Sequence, residues 1–592
     1  TPSSEIGNVL SGLAKEANIY FEFSTNEKVA MEVAATAAAS GLRSFTFMKH
    51  VGMNVASDSF MTTAYSGVNG GMVILSADDP SLFSSQNEQD TRNYGRLANV
   101  PILEPSNCQE VKDMVKYAFD LSEQFKLPVI VRTTTRVSHM RGVVEFGEVV
   151  DNSSEGESHW KKGFFKKNPA QFVPVPAFAK DMHVALVEKM DEINKITNES
   201  DFNVESYFSQ NKKYGVIASS SAYNYAYDVI RYNNLDIDVL KLGFSYPFPY
   251  DKVADFVKDY DEVFIVEEVD PIIEKDTLVA IGKNNLNTVV HGKLDGTFPV
   301  YHEFNSDIVA NGFNKYLNFI EENTDDYSDN LLNLQEEIPS RAPVLCAGCP
   351  HRAMYYGVNK ALEELGIPLK DAVFASDIGC YTLGINPPYN AADYLLSMGS
   401  SVGDGCGFSI ATNQKVISFI GDSTFFHSGI SPLINAVHNK NNFILTVLDN
   451  RITAMTGGQP NPGIPVDGMG DDAPEISIRK LALACGCNYV RVINPLNLDQ
   501  VVKTYKEALE RDEVCVIIAK APCTLIKGKT RKPPVNYIDS NCNGCNKCVS
   551  ELACPAISKD GGKIAIDPSM CDGCGVCIQV CKYGALEAGR GE

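Results

Sequence analysis

The 592-residue chain has no run of eighteen apolar residues, so no membrane-spanning helix is expected. It also lacks a recognisable secretory signal, and a cytoplasmic location is the expectation. Basic charge is in deficit: 52 Lys and Arg stand against 74 Asp and Glu, a net charge of −22. That excludes a nucleic-acid surface built on clustered cations. Acidity of this size serves solubility and identifies no partner. No short solenoid repeat is present. With 44% hydrophobic and 21% charged residues the composition is that of an ordinary globular protein, and the length exceeds one core, which predicts three to five domains.

Helical and strand-like pieces alternate over residues 1–150: "NEKVAMEVAATAAASGLRSFTF" reads as a helix, a Gly41 stop and a strand, and "GGMVILSADD" and "LPVIVRT" as short buried strands. A parallel sheet follows from that pattern. The pattern lapses over 151–205, where serine, proline and charge predict a linker or draped segment. A second α/β unit is expected over 206–325, closed by the acidic "EENTDDYSDN", and a third over 340–535. The basic "KGKTRKPP" reads as a hinge to a cysteine-rich tail, residues 536–592.

In "KVISFIGDSTFFHSG" the apolar run Val416–Ile420 ends in Gly421, followed by Asp422. Twenty-eight residues later "FILTVLDNRITAMTGGQ" ends a second apolar strand in Asn450. Adjacent parallel strands would bring a carboxylate and an amide oxygen to one sheet edge, where ligands bind. Hard oxygens of this kind suit Mg²⁺, which supplies the positive charge missing near Asp422 and binds a substrate's phosphates as well. Gly421 and Ser423 leave room for a pyrophosphate at a helix N-terminus.

Eight of the seventeen cysteines fall between Cys542 and Cys581. The two runs read C-x2-C-x2-C-x5-C-P and C-x2-C-x2-C-x3-C. In two-cluster ferredoxins three cysteines of a run hold one cluster and the fourth holds the other. Cys542, Cys545, Cys548 and Cys581 are therefore expected to hold one [4Fe-4S] cluster, and Cys571, Cys574, Cys577 and Cys554 the second. Two details depart from the standard run: five residues rather than three precede Cys554, and Lys582 stands where a second proline is usual. Neither removes a ligand, and a zinc module has no use for crossed fourth ligands.

The Asp422–Asn450 spacing resembles the GD(G/S)–x(22–28)–N signature of thiamine diphosphate enzymes, and "TAMTGGQ", with Thr456, resembles the same loop of 2-oxoacid:ferredoxin oxidoreductases. Ser423 replaces a commoner glycine and "DN" a commoner "NN". Together with "TPSSEI", "SADDPSLFSSQNEQDTRNYG", "VRTTTRVSH", "LCAGCPHRA", "SDIGCYTLG" and "GDSTFFHSGI", these stretches resemble the large-subunit (alpha) family of indolepyruvate ferredoxin oxidoreductases over essentially the whole chain. The resemblance implies thiamine pyrimidine- and pyrophosphate-binding domains, a transketolase C-terminal-like α/β domain between them and a two-cluster ferredoxin domain. It implies Mg²⁺ on Asp422, Asn450 and the Ile452 carbonyl. A third [4Fe-4S] cluster would rest on Cys346, Cys349, Cys380 and Cys523, whereas Cys485 and Cys487 read as ordinary buried thiols. Glu27, at a helix start fourteen residues before "GLRSFT", occupies the place of the glutamate that activates thiamine; Glu32 competes with it, and the dipole alone favours Glu in a first turn. His50 and His427 are candidates to face the reacting carbon. In the family "TPSSEI" follows a further strand and a "GYPG"-like turn, so a preceding strand is expected.

The implied reaction converts an aryl-2-oxoacid and CoA into aryl-acetyl-CoA and CO2, with two electrons passed to ferredoxin. A smaller beta subunit, an α2β2 assembly and an oxygen-poor cytoplasm go with it. The same chemistry on pyruvate, a branched-chain oxoacid or 2-oxoglutarate competes, the last disfavoured because no isolated arginine is assignable to a second carboxylate. An electron-transfer subunit would not need the intact Asp422–Asn450 pair, and a non-oxidative decarboxylase would not need the tail. The "KGKTRKPP" segment, with Lys529 and Arg531, is a candidate docking site for an acidic ferredoxin, weighed against a solvated linker.

Overall fold

The computed structural model describes residues 2–148, 162–320, 343–526, 528, 530–560 and 563–589. The chain forms two compact units, Thr1–Tyr20 with Asn26–Leu331 and Phe21–Thr25 with Leu332–Glu592.

In the first unit β1 (Ser44–Lys49), β2 (Met72–Asp78), β3 (Ile102–Leu103) and β4 (Val129–Thr134) form a parallel sheet in the order β1-β2-β4-β3. Every residue of β2 and β4 is buried, as near-continuous apolar strands covered on both faces require. The alanine-rich helix Glu27–Ala39 and the helices His50–Ser66 and Cys108–Phe125 close the core around Met31, Phe60, Ile74 and Val131.

Two features depart from the sequence expectation. The 151–205 stretch, read as a linker or draped segment without periodicity, carries a 23-residue helix, Pro176–Asn198, whose Leu186, Met190 and Ile193 pack into this first core. Their helical spacing is masked in the sequence by surrounding charge and proline. The edge strand Phe244–Tyr246 (β8), from within the second expected unit, pairs antiparallel with β3. The other strands of that region form a separate sheet: β5 (Val204–Ser206), β6 (Tyr214–Ser219), β7 (Ile237–Leu242), β9 (Glu262–Val266) and β10 (Val289–His291), in the order β10-β9-β6-β7-β5 with β5 antiparallel. The "EENTDDYSDN" boundary lies outside the described residues.

The second unit holds an all-parallel sheet of β11 (Ala372–Ala375), β12 (Lys415–Gly421), β13 (Ile444–Asp449), β14 (Tyr489–Ile493) and β15 (Cys515–Lys520), in the order β11-β12-β13-β15-β14. In its tail, small antiparallel ribbons join Asn536–Tyr537 to Leu586–Glu587 and Ile557–Asp560 to Lys563–Ile566. The tail's apolar residues, among them Leu552, Ile557, Val576 and Val580, pack with Ala353 and Leu498. Among the described residues no helix is long and apolar enough to cross a membrane.

Candidate active site

β12 and β13 are neighbours in register, with Gly421 opposite Leu448, so the next residues, Asp422 and Asp449, leave the sheet side by side. Both are buried. The Asp422 carboxylate accepts the Ser423 N–H at 2.8 Å and the Asn461 side-chain N–H at 3.1 Å. Burial, then the facing Asp449, push Asp422 up to about 7. Asp449 is raised by burial too, and its Oδ1 has no hydrogen-bond partner among the described residues. The nearby cations Arg451 and Lys520 are shared with Glu475, at 2.9 and 3.4 Å. Two buried carboxylates with an oxygen to spare fit a divalent cation, and Asn450 and Ile452 stand next to them in the chain. The Asn450 amide oxygen accepts the Ile452 N–H at 3.2 Å, which folds the two together.

Gly421 is required where it stands: a Cβ there would lie 2.6 Å from the Tyr381 ring. That ring is held by its hydroxyl, which donates to the Ile378 carbonyl and meets the Thr424 hydroxyl, both at 2.8 Å. Ser423 meets Thr453 at 2.6 Å and accepts from Asn461 at 2.9 Å; Thr456 donates to Gln459 at 2.6 Å. His427 lies in a π-helical turn, Phe425–Gly429, a feature frequent at functional sites. It is buried, and its Nδ1 is 2.8 Å from the Ser428 hydroxyl. That hydroxyl donates to the Met398 carbonyl, so Nδ1 of His427 carries the proton. At the end of β11, buried Asp377 accepts the N–H groups of Ile378, Gly399 and Ser401 at 2.7–3.1 Å, yet burial still pushes it up to about 6. Asp449, Asn461 and Asp377 escape a sequence reading. Asp449 had a visible signal, the "DN" ending of its strand, but Asn461 had none.

In the first unit Asn26 caps the helix that Glu27 begins, accepting the Val29 N–H at 2.9 Å. The Glu27 side chain lies against Gly52, where a Cβ would come within 2.8 Å of its Cγ. Gly52 is in the first turn of the helix His50–Ser66, so Glu27 and His50 approach the same helix end. Glu32, by contrast, is half-buried and engaged by Lys28 and Ser59. His50 is fully buried: its Nε2 donates to the Asn87 carbonyl at 3.0 Å, and its Nδ1 has no hydrogen-bond partner among the described residues.

The tail gathers its cysteines in crossed sets. One cavity is lined by Cys542, Cys545, Cys548 and Cys581, another by Cys554, Cys571, Cys574 and Cys577, the latter reached also by Cys349 and Arg352. Cys380 has Cys523 and Cys346 as electrostatic neighbours, and Cys349 has Cys346. Burial pushes Cys380 up to about 11 and Cys349 and Cys577 up to about 12. A metal bound there would turn such thiols into thiolates. Among the described residues no three His, Cys, Asp or Glu side chains close around one bare ion. The tail rings surround cavities instead, as a multi-iron cluster needs. Cys485 is half-buried and Cys487 buried. Lys529 lies outside the described residues, while Arg531 donates to the Ser569 carbonyl at 2.9 Å.

Three family models match the chain: "Pyruvate flavodoxin/ferredoxin oxidoreductase, thiamine diP-bdg" over residues 1–209, "Thiamine pyrophosphate enzyme, C-terminal TPP binding domain" over 377–519, and "4Fe-4S dicluster domain" over 534–582. Fold and site thus define a thiamine pyrophosphate-binding oxidoreductase with an attached iron–sulfur domain. The chain is 56% identical to the indolepyruvate oxidoreductase subunit IorA of Methanothermobacter marburgensis, covering 99% of this chain and 93% of that protein. It is 42% identical to the same subunit of Pyrococcus horikoshii, covering 100% and 93%. A 2-oxoglutarate synthase subunit, KorB of Methanocaldococcus jannaschii, is 27% identical over 36% of this chain and 82% of its own. The chain belongs to the IorA family of indolepyruvate oxidoreductase subunits.

Proposed function

We propose that the chain is the larger subunit of an indolepyruvate:ferredoxin oxidoreductase. It converts aryl-2-oxoacids (indolepyruvate, phenylpyruvate, 4-hydroxyphenylpyruvate) and CoA into aryl-acetyl-CoA and CO2, and passes two electrons to ferredoxin. It works with a smaller beta subunit, as two of each, in an oxygen-poor cytoplasm. One contact carries the reading: the Cys523 N–H donates to the Asn450 carbonyl at 2.9 Å. That bond ties the loop suited to a pyrophosphate and its metal directly to a cysteine of the third set.

When bound, thiamine diphosphate supplies a carbon nucleophile and an electron sink for decarboxylation, and [4Fe-4S] clusters supply one-electron carriers. Asp422, the Asn450 amide and the Ile452 carbonyl would hold Mg²⁺ and orient the pyrophosphate, with Gly421, Ser423 and Thr456 shaping its cradle. Glu27 would hold a proton at the aminopyrimidine. His50, with its Nδ1 lone pair, suits a proton acceptor, and His427, protonated at Nδ1, suits orientation of the substrate carboxylate. The cysteines form three sets: Cys346, Cys349, Cys380 and Cys523; Cys571, Cys574, Cys577 and Cys554; and Cys542, Cys545, Cys548 and Cys581.

The test is anaerobic, CoA-dependent viologen reduction by the chain with its small subunit, comparing indolepyruvate, phenylpyruvate, pyruvate and 2-oxoglutarate. Turnover confined to aryl-pyruvates, with about twelve irons per large subunit, is expected for three cubane clusters. About eight irons would remove the third set, and turnover of pyruvate or 2-oxoglutarate instead would overturn the aryl assignment.

A further inference from the structure

We propose that Arg352 is a positioning residue that locks the Cys346–Cys349 loop to the Cys554 loop and supplies the buried positive charge between those two cysteine sets. The inference rests on the cysteine assignments proposed above.

Arg352 lies in the first turn of the helix Pro350–Glu364, three residues after Cys349, and is 4% exposed. Its guanidinium reaches two loops two hundred residues apart in the chain. One end donates to the carbonyls of Leu345, at 2.5 Å, and Cys346, at 3.2 Å. The other donates to the carbonyls of Leu552, at 3.0 Å, and Ala553, and to the Tyr389 hydroxyl at 2.8 Å. Tyr389 in turn donates to the Leu552 carbonyl, closing a triangle. Cys346 belongs to the third set, and Ala553 immediately precedes Cys554 of the tail. A planar fork of fixed geometry sets the separation of two such loops, which a single flexible ammonium does not.

The charge is the second strand of the argument. A buried cation is costly unless it is paired. The chain's buried Arg92 and Arg132 obey that rule, surrounded by Asp78, Asp90, Glu104 and Glu267. The five acceptors around Arg352 are all neutral. Beside it stand cysteines and one buried carboxylate: Arg352 lines the cavity bounded by Cys554, Cys571, Cys574 and Cys577, with Cys349 and Asp572 on the same wall. Thiolates holding a cluster there would add to the counter-charge of Asp572. Net charge near a cluster sets its reduction potential, and a cation shifts it upward.

The experiment compares Arg352→Gln, Arg352→Lys and Tyr389→Phe in the assembled enzyme, by iron content, redox titration followed by electron paramagnetic resonance, and turnover. Arg352→Gln is expected to lower the midpoint potential of one tail cluster and to cut ferredoxin reduction about 10-fold. Arg352→Lys should keep most of the potential but weaken the magnetic interaction between neighbouring clusters. Tyr389→Phe should do the same more mildly. Full iron with unchanged potentials and unchanged magnetic interaction in Arg352→Gln overturns the proposal. If that variant does not accumulate, wild-type spectra in both of the others overturn it. Absence of cluster signals from the wild type would instead sink the cysteine assignment, and the clamp with it.

Discussion

At the scale of single residues, the two glutamates near the start of one helix make a controlled comparison. Both are half-buried, but Glu27 is tucked against Gly52, whereas Glu32 is engaged by Lys28 and Ser59. Glu27→Gln should lower kcat by on the order of 10²–10⁴-fold in anaerobic steady-state assays, the usual worth of a positioned acid or base. Glu32→Gln should stay near wild type; equal losses in both would remove Glu27 from its role. Asp422 gives a pH prediction. In metal-free protein, burial and Asp449 raise it from the ordinary 3.8 to about 7. A raised folded-state pKa contributes stability below the ordinary value, and that contribution is lost as pH rises through about 7. With EDTA present, Tm should therefore fall between pH 5.5 and pH 8 more steeply in wild type than in Asp422→Asn. Parallel Tm curves for the two proteins would contradict it.

At the scale of elements, β12 and β13 were legible because buried parallel strands are continuous apolar runs and their polar ends stand out against them. The helix Pro176–Asn198 was not, since its apolar stripe is diluted by charge and preceded by proline. Ile193 on that stripe is fully buried in the first core. Ile193→Ala should cost about 2–5 kcal/mol in denaturant unfolding of the first unit. A cost below 1 kcal/mol, the range of a surface change, would mean that the helix does not seal that core. The edge strand Phe244–Tyr246 shows a different limit: three residues carry no period that could announce which sheet they join.

For the whole molecule, the cysteine sets differ in exposure. Cys545 and Cys346 are exposed, Cys577 is buried, and Cys349 and Arg352 line the same cavity as the Cys577 set. Under the function proposed above, the Cys545 set, whose cavity Cys349 does not line, would be the exit toward a protein acceptor. Cys545→Ser should lower iron by about four per chain and abolish ferredoxin reduction while sparing part of the viologen activity. Loss of both activities in proportion would mean that this set is not the last in line.

Motifs carried by covalent spacing could be read from the chain alone: the C-x2-C-x2-C runs, the apolar strands ending in Asp422 and Asn450, and the glycine that relieves crowding beside them. Ligand spacing within a loop and side-chain alternation along a strand are local, so neighbouring residues suffice to specify them. Only the tertiary structure decided that Asp449 faces Asp422, that Asn461 crosses thirty-nine residues to bond it, and that Arg352 spans from Cys346 to Ala553. Those contacts join segments remote along the chain. What brings them together is the burial of apolar faces, and that burial has no local signature at the residues it makes neighbours.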